Sequence, residues 1–294
     1  MPLFSVIIPA YNRYEQLRRA VDSVLAQTFS DYEIIVIDDG STDTTREIET
    51  LYHGKVKYMY RPHRGVSAAR NCGITHSSSE HITFLDSDDL WHPDKLMRHR
   101  EFIECNPGIK IHQCDDIWVR NGRRVNMSSR YRKLEGDIFL KSLELCAISP
   151  SSVSVRSTLF ENCGLFDEKM PACEDYDMWL RITPFEYTGL IKEKLITRYS
   201  GHGDQLSAMY PGMDRFRVYA ILKLLDDSGD RLAHWQRAAA VECAHKKISI
   251  LKNGADKRGN TEFSALLDSI NNSITDGYGM RKYCPSLLQI QDCH

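Results

Sequence analysis

The stretch Ile82-Thr83-Phe84-Leu85-Asp86-Ser87-Asp88-Asp89 decides the fold, because a short apolar run ends abruptly in three carboxylates. Its β-branched and aromatic residues are typical of a buried strand. Open α/β sheets bind ligands beyond the carboxyl ends of their strands, so we expect the acidic cluster to lie in such a crevice. Adjacent carboxylates repel one another, and a Mg²⁺ or Mn²⁺ ion would neutralise them. The alternative is a solvated Asp-rich turn that caps a helix beginning near Pro93.

Strand and helix patterns alternate around this stretch. Apolar runs predict strands at residues 4–9, 33–37, 56–60 and 82–85, and helical faces follow them at 14–27, 43–51, 65–77 and 93–105. This alternation predicts an α/β fold with a mostly parallel sheet and helices on both faces. The first, second and fourth strands each end in polar or acidic loops. We therefore expect one crevice to collect all three loops.

The pattern is less regular after Asn106-Pro107-Gly108. Strands are expected at 110–119, 152–155 (leading into 159–163) and 190–199, a short helix at 137–146, and a helix from Glu174 with acids in its first turn, where the helix dipole favours them. Residues 120–132 are expected to form a polar loop. Helical patterns follow at 213–226, 232–252 and 261–274. We predict one domain over residues 1–205, with halves at 1–105 and 106–205, and a C-terminal helical region over 206–294.

Composition excludes several classes of function. The chain has 294 residues, and its 42% hydrophobic and 27% charged content is ordinary for a globular protein. A net charge of −2 gives no electrostatic basis for binding nucleic acid or an anionic membrane. The densest basic segment, residues 120–132, is expected to be a solvated loop or rim.

Cysteine usage and the N-terminus indicate a cytoplasmic protein. The nine cysteines form no Cys-x-x-Cys pair and their number is odd, so neither a zinc site nor a complete disulfide framework is expected. Reduced thiols in a cytosol agree best with this pattern. The N-terminal apolar run ends at Ala10 and is too short for a signal peptide or a membrane span.

Five motifs occur in order along roughly residues 3–205. They are Pro9-Ala10-Tyr11-Asn12, Asp38-Asp39-Gly40-Ser41-Thr42-Asp43, Gly65-Val66-Ser67-Ala68-Ala69-Arg70-Asn71, Asp86-Ser87-Asp88-Asp89 and Glu174-Asp175-Tyr176-Asp177. Together they resemble glycosyltransferase family 2. The resemblance implies a GT-A (Rossmann-like) fold with a mixed, mostly parallel sheet. It also implies a nucleoside-diphosphate-sugar donor, a divalent metal (Mn²⁺ or Mg²⁺) and inversion at the anomeric carbon.

The resemblance assigns the donor to a set of loop and strand-end residues: Pro9, Tyr11, Asn12, Asp39, Ser41, Arg70, Asp86 and Ser87. Tyr11 can stack on a flat base, and Asp39 can accept a hydrogen bond from a uracil N–H, which makes a UDP-sugar the first expectation. The forked guanidinium of Arg70 suits phosphate. Without the resemblance, Tyr11 would be a loop aromatic, Asp39 an Asx-turn residue and Arg70 a surface arginine.

The remaining roles concern the metal and the proton. By resemblance Asp88 is the direct metal ligand, and His202 is a second candidate that is otherwise a structural loop histidine. A divalent ion would stabilise the charge on the departing diphosphate. Asp175 is the expected general base for the acceptor hydroxyl. Its alternative role is that of an acid stabilising a helix N-terminus.

These expectations describe a metal-dependent, inverting glycosyltransferase of polysaccharide biosynthesis that acts by a single displacement. The acceptor is expected to be a saccharide or lipid-linked saccharide, recognised by residues 120–173 and the C-terminal helices. The first half of the 1–205 domain would bind the donor and the second half the acceptor. Two arrangements stay open: a homodimer formed through the C-terminal helices, and a peripheral position at the inner face of the membrane.

Two other functions remain as alternatives. A sugar nucleotidyltransferase would also use a metal and an α/β sheet, but usually with a Gly-rich N-terminal loop and a lysine, and residues 9–13 contain neither. A non-catalytic sugar-nucleotide-binding protein would not need both Asp88 and Asp175. Turnover of a donor would distinguish this alternative from an enzyme.

Overall fold

The computed structural model describes residues 1–201, 209–210, 212–276 and 280–289. All strands and helices predicted for the first 105 residues are present, and β5 is an additional strand of two residues. In order they are β1 (Phe4–Ala10), α1 (Tyr14–Leu25), β2 (Tyr32–Asp38), a 3₁₀ turn (Thr44–Arg46) leading into α2 (Glu47–Leu51), β3 (Lys57–Tyr60), α3 (Val66–Thr75), β4 (His81–Phe84), β5 (Leu90–Trp91) and α4 (Lys95–Cys105).

The second part of the chain contains the predicted elements, together with a short strand at Arg123–Val125 and short helices at Thr158–Cys163 and Cys284–Gln289 that were not predicted. They are β6 (Ile111–Arg120), β7 (Arg123–Val125), α5 (Phe139–Glu144), β8 (Val153–Arg156), α6 (Thr158–Cys163), α7 (Glu174–Ile182), β9 (Thr188–Ser200), α8 (Asp214–Asp227), α9 (His234–Lys257), α10 (Thr261–Asp276) and α11 (Cys284–Gln289). Short 3₁₀ turns lie at Ser129–Tyr131, Pro150–Ser152, Gly229–Arg231 and Met280–Tyr283.

The polar loop predicted for residues 120–132 is wrong in part, because it contains β7 and a 3₁₀ turn. Strands β6 and β7 form a hairpin whose turn is Asn121-Gly122. Both residues have positive φ, 50° and 74°. An Asn-Gly pair is the preferred two-residue turn of a β-hairpin. The arginines on both strands hide the alternation of apolar and polar residues that usually marks such a hairpin.

One nine-stranded sheet is formed, in the order β3-β2-β1-β4-β8-β6-β9-β5, with β7 paired to β6. The pairs β1–β2, β1–β4, β2–β3 and β6–β9 are parallel and include most of the paired residues. Strand β8 lies antiparallel between β4 and β6. The sheet is therefore the mixed, mostly parallel sheet that was predicted.

The register of the central strands brings three loops to one edge of the sheet. Ala10 pairs with Asp38, and Ile7 pairs with Phe84 at the last residue of β4. All seven residues of β1 are buried, and α1 covers this part of the sheet with a face of buried apolar residues. The loops after β1, β2 and β4 consequently leave a rigid core side by side.

The chain divides into two compact units. The first unit contains residues 1–138, 147–168 and 185–202, and the second contains residues 139–146, 169–184 and 203–294. Within the second unit, the C-terminal helices α8, α9 and α10 bury their apolar faces against one another and against α5 and α7. The domain boundary predicted at residue 205 stays a prediction. No helix among the described residues is long and apolar enough to cross a membrane.

Candidate active site

The acidic cluster follows β4, and its last member is buried in the protein. Ser151 Oγ donates to Asp89 Oδ2 at 2.6 Å, and Tyr199 N donates to Asp89 Oδ1 at 3.1 Å. Burial raises the pKa of Asp89, and the charge of Arg198 opposes that shift. Asp89 thus connects the loop after β4 to the end of β9.

The other two carboxylates are more accessible and face arginines. Arg70 Nη2 donates to Asp86 Oδ1 at 2.8 Å, and Arg13 Nη1 donates to Asp88 Oδ2 at 3.0 Å. The Asp86 side chain is 28% exposed and that of Asp88 is 16% exposed. Burial raises the pKa of Asp88, the charge of Asp86 raises it further, and Arg13 opposes both. A cation beside these carboxylates would relieve their repulsion.

The carboxylates of this cluster are suited to a divalent ion that a bound substrate also coordinates. Within the described ranges, no three His, Cys, Asp or Glu side chains are grouped so that they could hold a metal ion by themselves. Mg²⁺ is nevertheless commonly held by one or two carboxylates together with substrate phosphates, and hard oxygen ligands also suit Mn²⁺. Asp86 and Asp88 provide two such carboxylates, and Ser87 between them is buried. The predicted second ligand, His202, lies outside the described residues.

Arg70 is a buried residue of α3 and not a surface arginine. Its side chain is 4% exposed, and its guanidinium carbon lies 5.4 Å from the centre of the Phe166 ring. Helix α3 approaches β1 closely because Gly73 has no side chain: a Cβ there would lie 2.4 Å from Ile7 Cγ2. This close packing places the guanidinium of Arg70 at the acidic cluster.

Asp39, at the end of β2, is buried and bonded to the loop before α3. Its carboxylate accepts hydrogen bonds from Gly65 N at 2.7 Å and Arg64 N at 3.2 Å. His63 Nδ1 lies 2.9 Å from Asp39 Oδ2. Burial raises the pKa of Asp39, and the two backbone amides oppose that shift. The position of the Asp39 carboxylate is therefore fixed by the loop before α3.

Tyr11 and His63 form a stacked pair beside Asp39. Their ring centroids are 4.1 Å apart, with an interplanar angle of 27°. Tyr11 is 42% exposed, so one face of the pair remains available to another flat ring. His63 was not predicted as a site residue, because no motif or period marks it in the sequence.

The loop after β1 is bonded to the loop after β2. Asn12, with a φ of 51°, donates from its backbone N to Ser41 Oγ at 2.8 Å, and its Oδ1 accepts from Thr42 N at 2.7 Å. Asp38 Oδ1 accepts from Ser41 N at 2.8 Å. Pro9 is buried within β1. Asn12 and Ser41 therefore hold the two loops together. This arrangement also positions Arg13, which contacts Asp88 and was not among the predicted site residues.

Asp175 lies in the first turn of α7, in the second unit, after Cys173 with a φ of 61°. Its Oδ1 accepts from Tyr176 N at 2.7 Å, and its Oδ2 accepts from Cys146 Sγ at 3.1 Å. Asp177 is different: it is buried, and ion pairs with Arg181 and Lys223 occupy its carboxylate. Of these two acids, the half-buried Asp175 is the better placed to exchange a proton.

The family model for glycosyl transferase family 2 matches residues 5–159. An uncharacterized glycosyltransferase of Rickettsia prowazekii is 33% identical over 204 residues, which cover 66% of this chain and 64% of the relative. The chain thus spans about two thirds of the length of that relative.

Two solved structures share the fold. TarS 1-349 of S. aureus, in complex with UDP-GlcNAc, has a TM-score of 0.65 and 19% identity, with 99% of this chain and 93% of that chain covered. The mannosyltransferase PcManGT of Pyrobaculum calidifontis, in complex with GDP-Man and Mn²⁺, has a TM-score of 0.56 and 17% identity, with 97% and 86% covered.

Proposed function

The chain belongs to glycosyltransferase family 2, and from that membership we propose that it transfers a sugar from a nucleoside-diphosphate-sugar to an acceptor hydroxyl. The observation that carries the proposal is the group of side chains after β2 and β4: Asp39, Asp86 and Asp88, with Arg70 buried against Asp86. A carboxylate in a fixed position can accept a hydrogen bond from a nucleotide base. An arginine can bind the diphosphate, and the carboxylates beside it can bind the metal ion that accompanies the diphosphate.

Among the possible donors, a UDP-sugar is our first choice. The exposed face of the Tyr11–His63 pair offers a stacking surface for the base, and Asp39 offers an acceptor for a uracil N–H. Arg70 would contact the diphosphate, and Asp86 and Ser87 the ribose or the donor sugar. Pro9, Asn12 and Ser41 would shape the wall of the base site through the bonded loops. The UDP-GlcNAc complex of TarS supports this choice, and the GDP-Man complex of PcManGT is the reason to test GDP-sugars too.

Asp88, with Asp86 beside it, would hold Mn²⁺ or Mg²⁺ together with the diphosphate of the donor, and His202 stays a proposed further ligand. When bound, the ion supplies Lewis-acid stabilisation of the charge on the leaving diphosphate. The Mn²⁺ in the PcManGT complex supports this choice of ion. The protein itself contributes the position of the carboxylates, which Ser151 and Arg70 maintain.

Asp175 is the proposed general base. The acceptor hydroxyl becomes acidic as its oxygen forms the new bond, and a carboxylate within reach then takes the proton. The hydrogen bonds from Tyr176 N and Cys146 Sγ orient the Asp175 carboxylate. One base and one displacement would invert the anomeric configuration of the transferred sugar.

A panel of UDP-, dTDP- and GDP-sugars tests the proposal. We expect free nucleotide to appear from one nucleotide class in the presence of Mn²⁺ or Mg²⁺, and the release to stop after addition of EDTA. Release of nucleotide from any of these donors would show that the protein is an enzyme and not a non-catalytic binding protein. If no donor releases nucleotide and no nucleotide binds by calorimetry, the proposed function is wrong.

A further inference from the structure

The β6–β7 hairpin and the turn after it carry an unusual concentration of positive charge. Residues 120–132 contain five arginines and no acidic residue, in a chain whose net charge is −2. All five are exposed, and no carboxylate of the described residues forms an ion pair with any of them. They are Arg120, Arg123, Arg124, Arg130 and Arg132. We call this segment the arginine hairpin.

The pairing of the two strands places like charges opposite one another. Arg120 pairs directly with Arg123, so both side chains leave the same face of the hairpin. Like charges in direct cross-strand positions destabilise a sheet. A solvated rim would not require this arrangement, whereas an anion bound between the two guanidinium groups would turn the repulsion into attraction.

The arginine hairpin is joined to the acidic cluster through β9. Trp118 is the register partner of Arg198, whose guanidinium carbon lies 4.2 Å from the centre of the Trp118 ring. Tyr199, the next residue of β9, donates its backbone N–H to Asp89. A positive surface therefore begins two register positions beyond Trp118, on the part of the first unit that also holds the proposed donor site.

We propose that the arginine hairpin binds the acceptor, and that the acceptor is an anionic saccharide carrying repeated carboxylate or phosphate groups. Arginine forks form bidentate bonds with both kinds of group. Tyr131, in the same segment, is 48% exposed and offers an aromatic face to a sugar ring. This inference rests on the proposed function, because it identifies the substrate that receives the sugar.

The charge distribution favours a saccharide acceptor over a membrane or a nucleic acid. The excess of arginine is confined to one hairpin beside the proposed donor site, and the chain as a whole is slightly acidic. A basic cluster that binds lipid usually adjoins a membrane-spanning helix or lies on an amphipathic helix, and a domain that binds nucleic acid is usually basic overall, whereas these arginines lie on a hairpin and a 3₁₀ turn. The short span of the hairpin corresponds to a few charged sugar units.

Binding of short oligosaccharides tests the inference. We would measure the affinity of an oligogalacturonate, a phosphorylated oligomannose and a neutral oligosaccharide of equal length for the intact protein. The test variant is Arg123→Gln/Arg124→Gln/Arg130→Gln. The matched control is Arg18→Gln/Arg98→Gln/Arg100→Gln, which removes three partly exposed, ion-paired arginines from α1 and α4. Nucleotide release from the donor without acceptor is measured in parallel.

We expect the wild type and the control to prefer at least one anionic oligosaccharide over the neutral one. The hairpin variant should lose about tenfold or more of that affinity, since a single charged hydrogen bond is worth that much. Whichever anionic probe shows the loss identifies carboxylate or phosphate as the recognised group. Nucleotide release should be unchanged in both variants.

Two outcomes would overturn the inference. One is a hairpin variant that binds the anionic oligosaccharides as the control does. The other is hairpin-dependent binding of phosphatidylglycerol vesicles or duplex DNA without any preference among the oligosaccharides, which would assign the surface to a membrane or a nucleic acid. If no donor releases nucleotide from the wild type, the proposed function fails, and this result is separate from the binding data.

Discussion

Single side chains at the edge of the sheet are held by partners far away in the sequence. Arg13 and Asp88, which form an ion pair, are 75 residues apart, and Asp89 and Tyr199 are 110 residues apart. The first contact exists because the parallel strands β1 and β4 end side by side, and the second exists because β5 pairs antiparallel with β9. The chemistry of the site thus depends on the register of β1, β4 and β9.

Replacement of Asp88 tests the metal assignment. Asp88→Asn keeps the size of the side chain but removes the charge, so the gain in UDP affinity on adding Mn²⁺ should largely disappear. Calorimetry of UDP with and without Mn²⁺ measures this gain. Asp94→Asn, at an exposed aspartate just before α4, is the matched control and should retain it. An undiminished gain in Asp88→Asn would show that another residue holds the ion.

Arg70 should contribute to stability as well as to donor binding. Arg70→Ala leaves Asp86 without its partner in a largely buried pair, so the free energy of unfolding should fall by about 3 kcal/mol. Arg70→Lys keeps the charge, and we expect it to fold more stably than Arg70→Ala but to bind UDP several-fold more weakly than the wild type, because lysine lacks the fork. Urea unfolding and UDP titration give the two quantities. Full UDP affinity in a folded Arg70→Lys protein would remove Arg70 from the donor site.

The residues of the candidate site were predictable only where a motif marked them. Asp39, Asp86 and Asp88 follow strands whose apolar runs are visible in the sequence, and that position alone indicates a ligand crevice. Arg13 and His63 carry no such signal. Their contacts with Asp88 and Asp39 depend on how two loops fold against each other, which local sequence does not determine.

Among the elements, the contact of α4 with β4 and β6 contains an unusual histidine cluster. His99 and His112 have ring centroids 4.8 Å apart, and His81 lies 6.4 Å from His112. All three are buried, and their ring nitrogens have no hydrogen-bond partner in the described part of the chain. Burial lowers the pKa of His81 to about 4 and lowers those of His99 and His112 well below the usual value.

This cluster makes stability depend on pH. Because the folded pKa of each histidine is depressed, the unfolded chain binds protons more readily, and stability is lost as the pH falls below about 6.5 towards the folded pKa. For His81 alone the loss between about pH 7.5 and about pH 5 is about 2 kcal/mol. Urea unfolding at both pH values should show it.

The variant His112→Leu should reduce this pH dependence. It removes one protonation site and one unsatisfied buried ring, so stability near neutral pH should be equal or higher. His53→Leu, at an exposed histidine of the first unit, is the matched control and should leave the pH dependence unchanged. If His112→Leu loses as much stability on acidification as the wild type does, the cluster is not the cause.

Elements with a long periodic pattern of apolar residues were predicted well. Short strands that form only through pairing with another strand were predicted less well. Helices α8, α9 and α10 appear as predicted because each has a long apolar face that the second unit buries. Strand β5 has only two residues and exists through its pairing with β9. Strand β7 depends on the Asn121-Gly122 turn, and the antiparallel place of β8 between β4 and β6 depends on tertiary contacts that no local pattern shows.

For the molecule as a whole, the order of motifs was more informative than composition. The family match at residues 5–159 contains the loops after β1, β2 and β4, which carry the proposed donor contacts. The segments 139–146 and 169–184 belong to the second unit, although they lie inside the 1–205 region in sequence. The compact units are therefore built from segments that are separate in the sequence. The periodicity of a sequence shows only which neighbouring residues form an element, and it does not show which elements pack together.

In the proposed reaction, the sugar is transferred in a single displacement with Asp175 as the base. Asp175→Asn keeps the shape of the side chain and its oxygen at the start of α7, so folding should change by less than about 1 kcal/mol. Donor and metal binding should persist, because their proposed contacts lie at Asp39, Arg70 and Asp88. Transfer to the acceptor should fall by about 10²–10⁴-fold.

Proton NMR of the transfer product, read beside the rate of Asp175→Asn, is the most direct measurement. The anomeric proton of the transferred sugar reports whether its configuration is the same as in the donor. We predict an inverted configuration in the wild-type product and a large loss of rate in the variant, whereas a retained configuration, or near-normal transfer by Asp175→Asn, would contradict the mechanism.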